Sequence, residues 1–465
     1  MERPLRFIRA ASGVHVVAVM THPMPCPGRC AFCPTAEGAP KSYMPDSPVA
    51  LRARRNGFDP YRQVAGRISV YMANGHLPNK IEAIVLGGTF TALPRSYREW
   101  LVGSIYKALN DFPHWGASPH VDLEWEQLRN ERAALRLVAL AIETRPDYID
   151  EGEVDHLLKL GVTRVELGVQ SIYDDVLKRV ERGHGVGEVV LATRLLKDSA
   201  YKVCYHLMPG LPGSDPDRDL EMFREVFTNP DFMPDCVKIY PLYVVPHTKL
   251  YEEWRRGEYK SYDRETWLDL LAKIYASVPR WVRVMRLGRD IPLHHVVEGP
   301  PWGNMRQVVL RHMERLGLRC VEIRCREVGV KLANSRLVEP GLIEVKKTAY
   351  KASEGTEWFI EAVGPDDTLY GIVRLRIPHA PHRPELRGDV ALVRELHVYG
   401  PAVPIGERGI WWQHVGIGRR LMKEAEETAS RLGAVRLAVI SGVGAREYYG
   451  KLGYERCGPY MCKKL

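Results

Sequence analysis

Long apolar runs are absent from this chain of 465 residues. No stretch approaches the roughly 20 apolar residues that a membrane-spanning helix needs, so we expect no membrane association. The first residues, MERPLRFIRAASG, lack the apolar core and small-residue cleavage site of a secretory signal. Repeats and low-complexity segments are missing too. The nine cysteines are therefore expected in a reducing cytoplasm, where thiols bind metals and rarely form disulfides.

Length and charge indicate a multidomain protein with an anionic partner. The length predicts two to four domains, and the net charge is +9. Arginine, which binds phosphate in bidentate fashion, dominates the basic clusters. These clusters contain Arg52, Arg54, Arg55, Arg280, Arg283, Arg286, Arg289, Arg311, Arg315, Arg319, Arg324 and Arg326. Nucleic-acid binding is the favoured interpretation, and a salt-bridged surface is the alternative.

Three cysteines near the start form the most informative motif. Cys26, Cys30 and Cys33 stand as C-x3-C-x2-C in CPGRCAFCP. Three thiolates on one loop can hold three irons of a [4Fe–4S] cluster and leave the fourth iron open for S-adenosylmethionine (SAM). The aromatic Phe32 before the last cysteine is typical of such loops. A zinc knuckle without its fourth ligand, or a loop of reduced thiols, is the alternative.

Strand and helix patterns alternate from Val14 to about Leu287. Six β-branched runs, from VHVVAVM to CVKIYPLYVV, are separated by amphipathic stretches. This order is typical of right-handed βαβ units in a parallel sheet. It predicts an α/β fold with a partial (β/α)6-type barrel, whose ligands would lie at the carboxyl ends of the strands.

A glycine loop opens a long helix near the other end of the chain. The loop residues are Gln413, His414, Val415, Gly416, Ile417 and Gly418. Glycines there allow backbone N–H groups to approach phosphates at a helix N-terminus. With the strands on either side and the pair Tyr448–Tyr449, this segment resembles the GNAT acetyltransferases. In that family such a loop binds acetyl-CoA, and a tyrosine at the position of Tyr449 often protonates the CoA thiolate. Core packing is the alternative for both tyrosines.

Several stretches together resemble one family across nearly the whole chain. They include GGTFTALPRSYREW, AIETRPD, ELGVQSIYDDVLKRVERGH, KIYPLYVVPHTKLYEEW, RELHVYG and ISGVGAREYYGKLGY. They resemble the catalytic subunit of Elongator in its archaeal form. The resemblance implies an acyltransferase that forms 5-carboxymethyluridine at the wobble position of tRNA. It also implies that a radical from SAM activates the acetyl methyl of acetyl-CoA, and that the partners are tRNA, Elongator-like subunits or an electron donor.

The resemblance also assigns site residues. It makes Cys26, Cys30 and Cys33 the cluster ligands, and Gly87, Gly88 and Gln170 contacts of SAM. Lys238 is a candidate catalytic residue if it points into the barrel and a surface residue if it points outward. His206 has the same two alternatives. For Gln170 the alternative is an ordinary polar residue at the end of a strand.

Three features depart from the family. The cysteine loop is one residue shorter than the usual one. A basic helical segment usually precedes the barrel, yet 25 residues precede Cys26 here, so tRNA binding is expected to rest on other basic surface, to be weak, or to need a partner. The family also clusters three cysteines before REVG, where this chain has Cys320, Glu322 and Cys325. Glu322 or His312 would complete a zinc site there, and two reduced thiols are the alternative. Cys204, Cys236, Cys457 and Cys462 are expected to be plain thiols.

The sequence thus predicts three units and leaves three functions open. A radical-SAM domain is expected at 1–290, a linker at 291–337 and a GNAT domain at 338–465. The first function is the radical tRNA-modifying enzyme. The second is a protein lysine acetyltransferase with a structural barrel, for which Glu395 is the tempting base unless an arginine pairs with it. The third is a tRNA-binding subunit gated by acetyl-CoA.

Overall fold

The computed structural model describes residues 12–116, 120–333, 343–403 and 416–465. Two seven-stranded sheets organise these residues, one in each half of the chain. Across the described segments, none of the helices combines the length and the apolar character that crossing a membrane requires.

The first sheet is parallel, and its strands follow one another in chain order. They are β1 His15–Met20, β2 Lys80–Leu86, β3 Arg136–Thr144, β4 Arg164–Gln170, β5 Lys202–Leu207, β6 Cys236–Ile239 and β7 Arg283–Leu287. Six of them lie within the predicted strands to within a few residues, except that β6 ends at Ile239 whereas its predicted run extends to Val245. The seventh was not predicted, because its sequence RVMRL carries two arginines that we attributed to a basic surface.

Helices connect the strands and cover the sheet, as the right-handed crossover rule requires. Asp59 and Asp150 each cap a helix by accepting a backbone N–H, which fixes where those helices begin. The helices of the first half are α1 Pro48–Arg55, α2 Pro60–Ala73, α3 Arg95–Asn110, α4 Leu123–Asn130, α5 Glu151–Leu160, α6 Asp174–Arg179, α7 Val186–Asp198, α8 Pro216–Thr228, α9 Lys249–Arg255 and α10 Arg264–Ser277.

The connecting region is helical and only partly separate from the barrel. It contains α11 Met305–Arg315, α12 Ile323–Arg326 and α13 Val328–Ala333. Met305, Val309 and Met313 of α11 are buried in the core of the first sheet, whereas Ile323 and Val328 belong to the core of the second. This region therefore packs against both halves.

The second sheet is mostly antiparallel, with one parallel pair between its fourth and fifth strands in chain order. Its strands are β8 Glu344–Ala352, β9 Gly355–Val363, β10 Leu369–Ile377, β11 Val390–Val398, β12 Arg436–Val439, β13 Glu455–Cys457 and β14 Tyr460–Lys464. Two helices, α14 Ile417–Arg431 and α15 Arg446–Gly450, accompany it. The apolar side of α14 is buried at Leu421, Ala425 and Ala429, whereas Leu432 after the helix is exposed.

A buried ionic network joins the two halves. Arg394 of β11 binds both carboxylate oxygens of Asp235, at 2.6 and 2.8 Å, and also contacts Glu357 at 2.8 Å. Arg376 of β10 bridges Glu357 and Asp198, at 3.0 and 2.6 Å. Because Asp198 and Asp235 belong to the first half, these pairs fix how the two sheets sit against each other.

The predicted arginine-rich surface is partly internal. Arg280 and Arg326 both bind Glu361 of the second sheet, at 2.6 and 2.8 Å. Arg283 is buried and pairs with Glu327. Nucleic-acid contact was the favoured interpretation of these arginines and salt bridges the alternative; the structure places them in ion pairs with Glu361 of the second sheet and Glu327 of the connecting region.

Candidate active site

The cysteine loop follows β1 and lines a cavity at the carboxyl ends of the parallel strands. Cys26, Cys30 and Cys33 are free thiols. The sulfurs of Cys26 and Cys30 face the same point, since a Cβ atom on Gly28 would lie 3.7 and 3.6 Å from them. Phe32 is buried beside them and lines the cavity.

Cationic groups surround these thiols. Arg182 donates to the sulfur of Cys30 at 3.3 Å, and Arg145 and Arg289 line the same cavity. Burial raises the pKa of the Cys33 thiol, and Arg289 opposes that shift. Positive charge favours the thiolate form that binds iron. Three free thiols in a cationic cavity therefore fit a [4Fe–4S] cluster with one open iron.

Unpartnered polar atoms in this cavity fit SAM. The side-chain oxygen of Gln170 and one guanidinium nitrogen each of Arg145 and Arg289 are buried without a hydrogen bond. Buried polar groups normally have partners, because leaving them unpaired is costly. An ammonium group would satisfy the oxygen, and a carboxylate would satisfy the two nitrogens. SAM carries both groups.

The glycines after β2 are required by the backbone. Gly87 and Gly88 have φ angles of +143° and +88°, a region that disfavours side chains. A Cβ atom on Gly87 would also lie 2.0 Å from the hydroxyl oxygen of Thr21. Gly88 lines the cavity, so the chain there can approach a ligand closely.

Lys238 points into the barrel, where the cavity ends. Its ammonium group lies 2.9 Å from Glu143 and also contacts Glu166. His206 binds the same Glu166 carboxylate at 3.0 Å, and Tyr43 donates to Glu143 at 2.7 Å. Burial opposes the charged form of Lys238, yet the two carboxylates hold its pKa well above the ordinary value.

Sequence reasoning missed the two glutamates. Glu143 and Glu166 stand in the strands LVALAIET and RVELGVQ, whose apolar residues indicate a buried sheet. A carboxylate in such a strand is costly unless it is paired, and this was the available signal. Arg164 continues the polar interior, because it binds both Glu166 and Glu82 of β2.

A second cavity lies between the two halves. Gly416, Gly418, Arg419, Tyr448 and Lys451 form its side in the second half, and Lys80, Arg136 and Val138 come from the first. Gly416 has a φ of +99° and starts α14. A Cβ atom on Gly418 would lie 2.8 Å from the Tyr448 hydroxyl. This glycine-lined helix N-terminus with nearby cations fits a pyrophosphate. Gln413, His414 and Val415 lie outside the described residues.

The two tyrosines have different environments. Tyr448 lines this cavity and is 40% exposed, whereas Tyr449 is 6% exposed and packs in the core against Tyr454. Burial raises the pKa of Tyr448 to about 12, so its hydroxyl keeps its proton at neutral pH. The structure therefore places Tyr448 at the cavity and Tyr449, the residue indicated by the resemblance, behind it.

The two cavities lie at opposite ends of the same strands. Lys80 at the start of β2 lines the second cavity, and Leu86 at its end lines the first. Six residue steps of about 3.3 Å give a separation of about 20 Å. Among the described residues, the two linings share no member. The described residues therefore form two separate openings, and no single cleft among them joins the cysteine loop to Gly416.

The linker cysteines do not form the expected zinc site. Cys320 and Cys325 are joined as a disulfide, and Cys457 and Cys462 form a second one. Both pairs are separated by five residues, with Cα atoms 6.1 and 5.9 Å apart, which is within disulfide range. The prediction of free thiols was wrong for Cys457 and Cys462. Cys320 and Cys325 were expected to bind zinc or to remain reduced, and the disulfide contradicts both.

The remaining candidate ligands have other partners. Glu322 is buried and accepts the backbone N–H groups of Val284 and Arg324, and His312 binds Asp269 at 2.6 Å. A disulfide offers no thiolate to a metal. In this form the residues present do not fit zinc.

Comparisons with known proteins agree with this arrangement. Residues 22–226 match the Radical SAM superfamily, 234–315 the Radical_SAM C-terminal domain and 411–464 an acetyltransferase (GNAT) domain. They confirm the predicted fold class, a partial barrel followed by an acetyltransferase fold.

Curated relatives and a solved structure are similar over nearly the whole chain. The tRNA uridine(34) acetyltransferase of Methanocaldococcus infernus is 47% identical, covering 98% of this chain and 87% of its own. Elongator complex protein 3 of Saccharomyces cerevisiae is 42% identical, covering 98% and 84%. The structure of the archaeal Methanocaldococcus infernus Elp3 with an N-terminus deletion has a TM-score of 0.86 at 45% identity, covering 98% of this chain and 100% of that one.

Proposed function

Because the chain belongs to the family of the tRNA uridine(34) acetyltransferases and Elongator complex protein 3, and is thus an acyltransferase, we propose that it forms 5-carboxymethyluridine at the tRNA wobble position. Its acetyl donor is acetyl-CoA, and its radical source is SAM. The observation that supports this most is the pair of cavities at opposite ends of the barrel strands. The proposed catalytic units are 1–290 and 338–465, connected by 291–337.

Residues of the first cavity hold and orient the reactants. Cys26, Cys30 and Cys33 ligate the cluster, which with SAM supplies the one-electron chemistry that breaks a C–H bond of the acetyl group. Gln170 and Gly88 contact the methionine end of SAM. Lys238 stays charged beside its two carboxylates and offers a donor toward the cavity, where it can orient a uracil carbonyl.

Residues of the second cavity bind acetyl-CoA. Gly416, Ile417 and Gly418 present backbone N–H groups to the pyrophosphate, and Arg419 adds positive charge. Tyr448 keeps its proton and donates it to the departing CoA thiolate.

The lysine-acetyltransferase alternative depends on Glu395 as a base. That carboxylate is ion-paired with Lys202 at 2.5 Å and Arg374 at 2.8 Å. Burial opposes its ionisation, but these cations hold its pKa far below the usual range. A carboxylate so strongly stabilised as an anion is a poor proton acceptor, which favours the tRNA reaction.

One incubation distinguishes the three functions. The reduced, cluster-reconstituted protein is mixed with SAM, acetyl-CoA and unmodified tRNA, with the acetyl group labelled. The proposed enzyme gives 5′-deoxyadenosine, CoA and labelled uridine. A lysine acetyltransferase labels protein and leaves tRNA unlabelled. A binding subunit gives a salt-sensitive mobility shift of tRNA without turnover. Either of the last two results overturns the proposal.

Gly416→Glu should abolish acetyl-CoA binding. The φ of +99° strains any side chain, and the new carboxylate would face the pyrophosphate. Isothermal titration with acetyl-CoA measures the loss. Gly433→Glu is the matched control, since Gly433 has a φ of +88° near the other end of α14. Unchanged binding by Gly416→Glu would show that the loop is misassigned.

Tyr448→Phe should slow acetyl-CoA turnover by about 100-fold, the usual contribution of a positioned proton donor. The release of CoA is followed with a thiol reagent in the presence of tRNA. Tyr449→Phe removes the same hydroxyl from the buried neighbour and should leave the rate nearly unchanged. The assignment of Tyr448 fails if the two variants behave in the opposite way.

A further inference from the structure

Two histidines and an aspartate meet outside the cluster cavity. His294 and His295 lie in a short 3-10 helix, Leu293–His295, that follows β7, and Asp46 lies between the cysteine loop and α1. The Nε2 atoms of His294 and His295 lie 2.7 and 2.9 Å from the Asp46 carboxylate. The two imidazole rings are 4.2 Å apart. Three donor groups from two distant segments therefore converge on one point.

We propose that Asp46, His294 and His295 form a binding site for a divalent transition-metal ion. Their donor atoms all lie within 4.8 Å of one another. Ligands at 2.0–2.1 Å from a tetrahedral ion would be about 3.3 Å apart, so modest side-chain rotations reach that geometry. Imidazole suits zinc, iron and nickel, and two imidazoles with one carboxylate leave coordination positions open. The three ligands include no cysteine, so this site would bind a metal through nitrogen and oxygen, unlike the cluster site.

The surroundings of the site suit a metal that exchanges with solvent. The side chain of His294 is 67% exposed, and those of His295 and Asp46 are 29% and 38% exposed. Two neutral imidazoles and one carboxylate reduce the charge of a divalent ion to +1. The open positions would then be filled by water or by an anionic oxygen.

The metal would connect two segments that line the first cavity. Ser42 and Tyr43, just before Asp46, line that cavity, as do Arg289 and Asp290, just before the histidines. Arg289 already donates to the Ser42 hydroxyl at 2.9 Å. A metal bound by Asp46 and the histidines would add a second link between the same two segments.

The test is a Zn²⁺ titration of the cluster-reconstituted protein. With the cysteine loop occupied by iron, calorimetry should show a stoichiometric binding step. His294→Ala with His295→Ala should weaken that step at least about tenfold, since removing even an outer partner of a metal ligand has that effect. His312→Ala is the matched control, because it removes one imidazole from a single His312–Asp269 pair and should leave the step intact.

Two results would overturn the site. One is the absence of a Zn²⁺ step in the wild-type protein, and the other is an undiminished step in the double variant. Asp46→Asn provides a second variant that keeps the side-chain shape and should also weaken binding. Co²⁺ gives an independent spectroscopic readout: d–d absorption without sulfur-to-cobalt charge transfer supports the nitrogen–oxygen site, and charge-transfer bands that persist in the double variant contradict it.

Discussion

Cys30→Ser should abolish SAM cleavage and tRNA modification while leaving acetyl-CoA binding intact. Cys30 is buried, and its sulfur accepts a hydrogen bond from Arg182 at 3.3 Å. Serine fits the same space but is a poor ligand for iron, so the cluster is lost. No side chain of the protein can replace the one-electron chemistry that the cluster supplies. Iron content, 5′-deoxyadenosine and modified uridine are the three measurements.

The controls separate loss of the cluster from loss of the fold. Cys204→Ser changes a free, buried cysteine outside the cavity and should keep the iron content and SAM cleavage of the wild type. Acetyl-CoA binding by Cys30→Ser should match the wild type, because the second cavity lies at the other end of the strands. Modified uridine produced by Cys30→Ser would refute the radical mechanism.

Arg394→Met should destabilise the protein by about 3–5 kcal/mol, the usual result of breaking a buried ion pair by removing one partner. Arg394 and Asp235 are fully buried, and Glu357 shares the same guanidinium. Methionine would fill much of the space, yet both carboxylates would lose their strongest hydrogen-bond donor. Guanidinium denaturation followed by circular dichroism gives the change in unfolding free energy.

An exposed ion pair is the matched control for this prediction. Arg194→Met removes a pair with Glu354 whose side chains are 39% and 49% exposed, and it should change stability by about 1 kcal/mol or less. Adding Asp235→Asn to Arg394→Met removes a stranded charge and should recover part of the loss. Equal effects of Arg394→Met and Arg194→Met would show that the buried network does not hold the halves together.

The same network has a pH dependence of known sign. Burial opposes ionisation of Asp235, but Arg394 and Lys197 hold its pKa well below the ordinary value. A carboxyl whose folded-state pKa is depressed contributes stability above its unfolded pKa, and that contribution is lost as the pH falls toward the folded pKa. The Arg394→Met penalty should therefore be full at neutral pH and shrink in acid.

Local patterns in the sequence predicted much of the fold. The helices at 60–73 and 151–160 lie among the amphipathic stretches expected between the strands, because apolar spacing and aspartate caps are local signals. Six barrel strands and the cysteine loop were found for the same reason. The strand Arg283–Leu287 was missed, since its arginines find their partners only in the folded chain.

The site was predicted less completely, because its partners are distant in sequence. Lys238 and Glu143 are 95 residues apart, and no local pattern joins them. The choice between Tyr448 and Tyr449 depends on which side of a short helix faces the cavity. The disulfides depend on how two turns bring cysteines together, whereas composition alone favoured free thiols.

Because the two openings lie at opposite ends of the barrel strands, the proposed reaction requires the acetyl group bound at one opening to reach the other. The buried ion pairs between the halves oppose a hinge motion that would bring the two openings together. Arg164 and its glutamates occupy the interior between the openings. In the proposed reaction, the acetyl group must therefore displace these side chains or pass around the rim, and the thioester can hydrolyse during that passage. The ratio of CoA released to uridine modified measures how many acetyl groups are lost for each one that reaches tRNA.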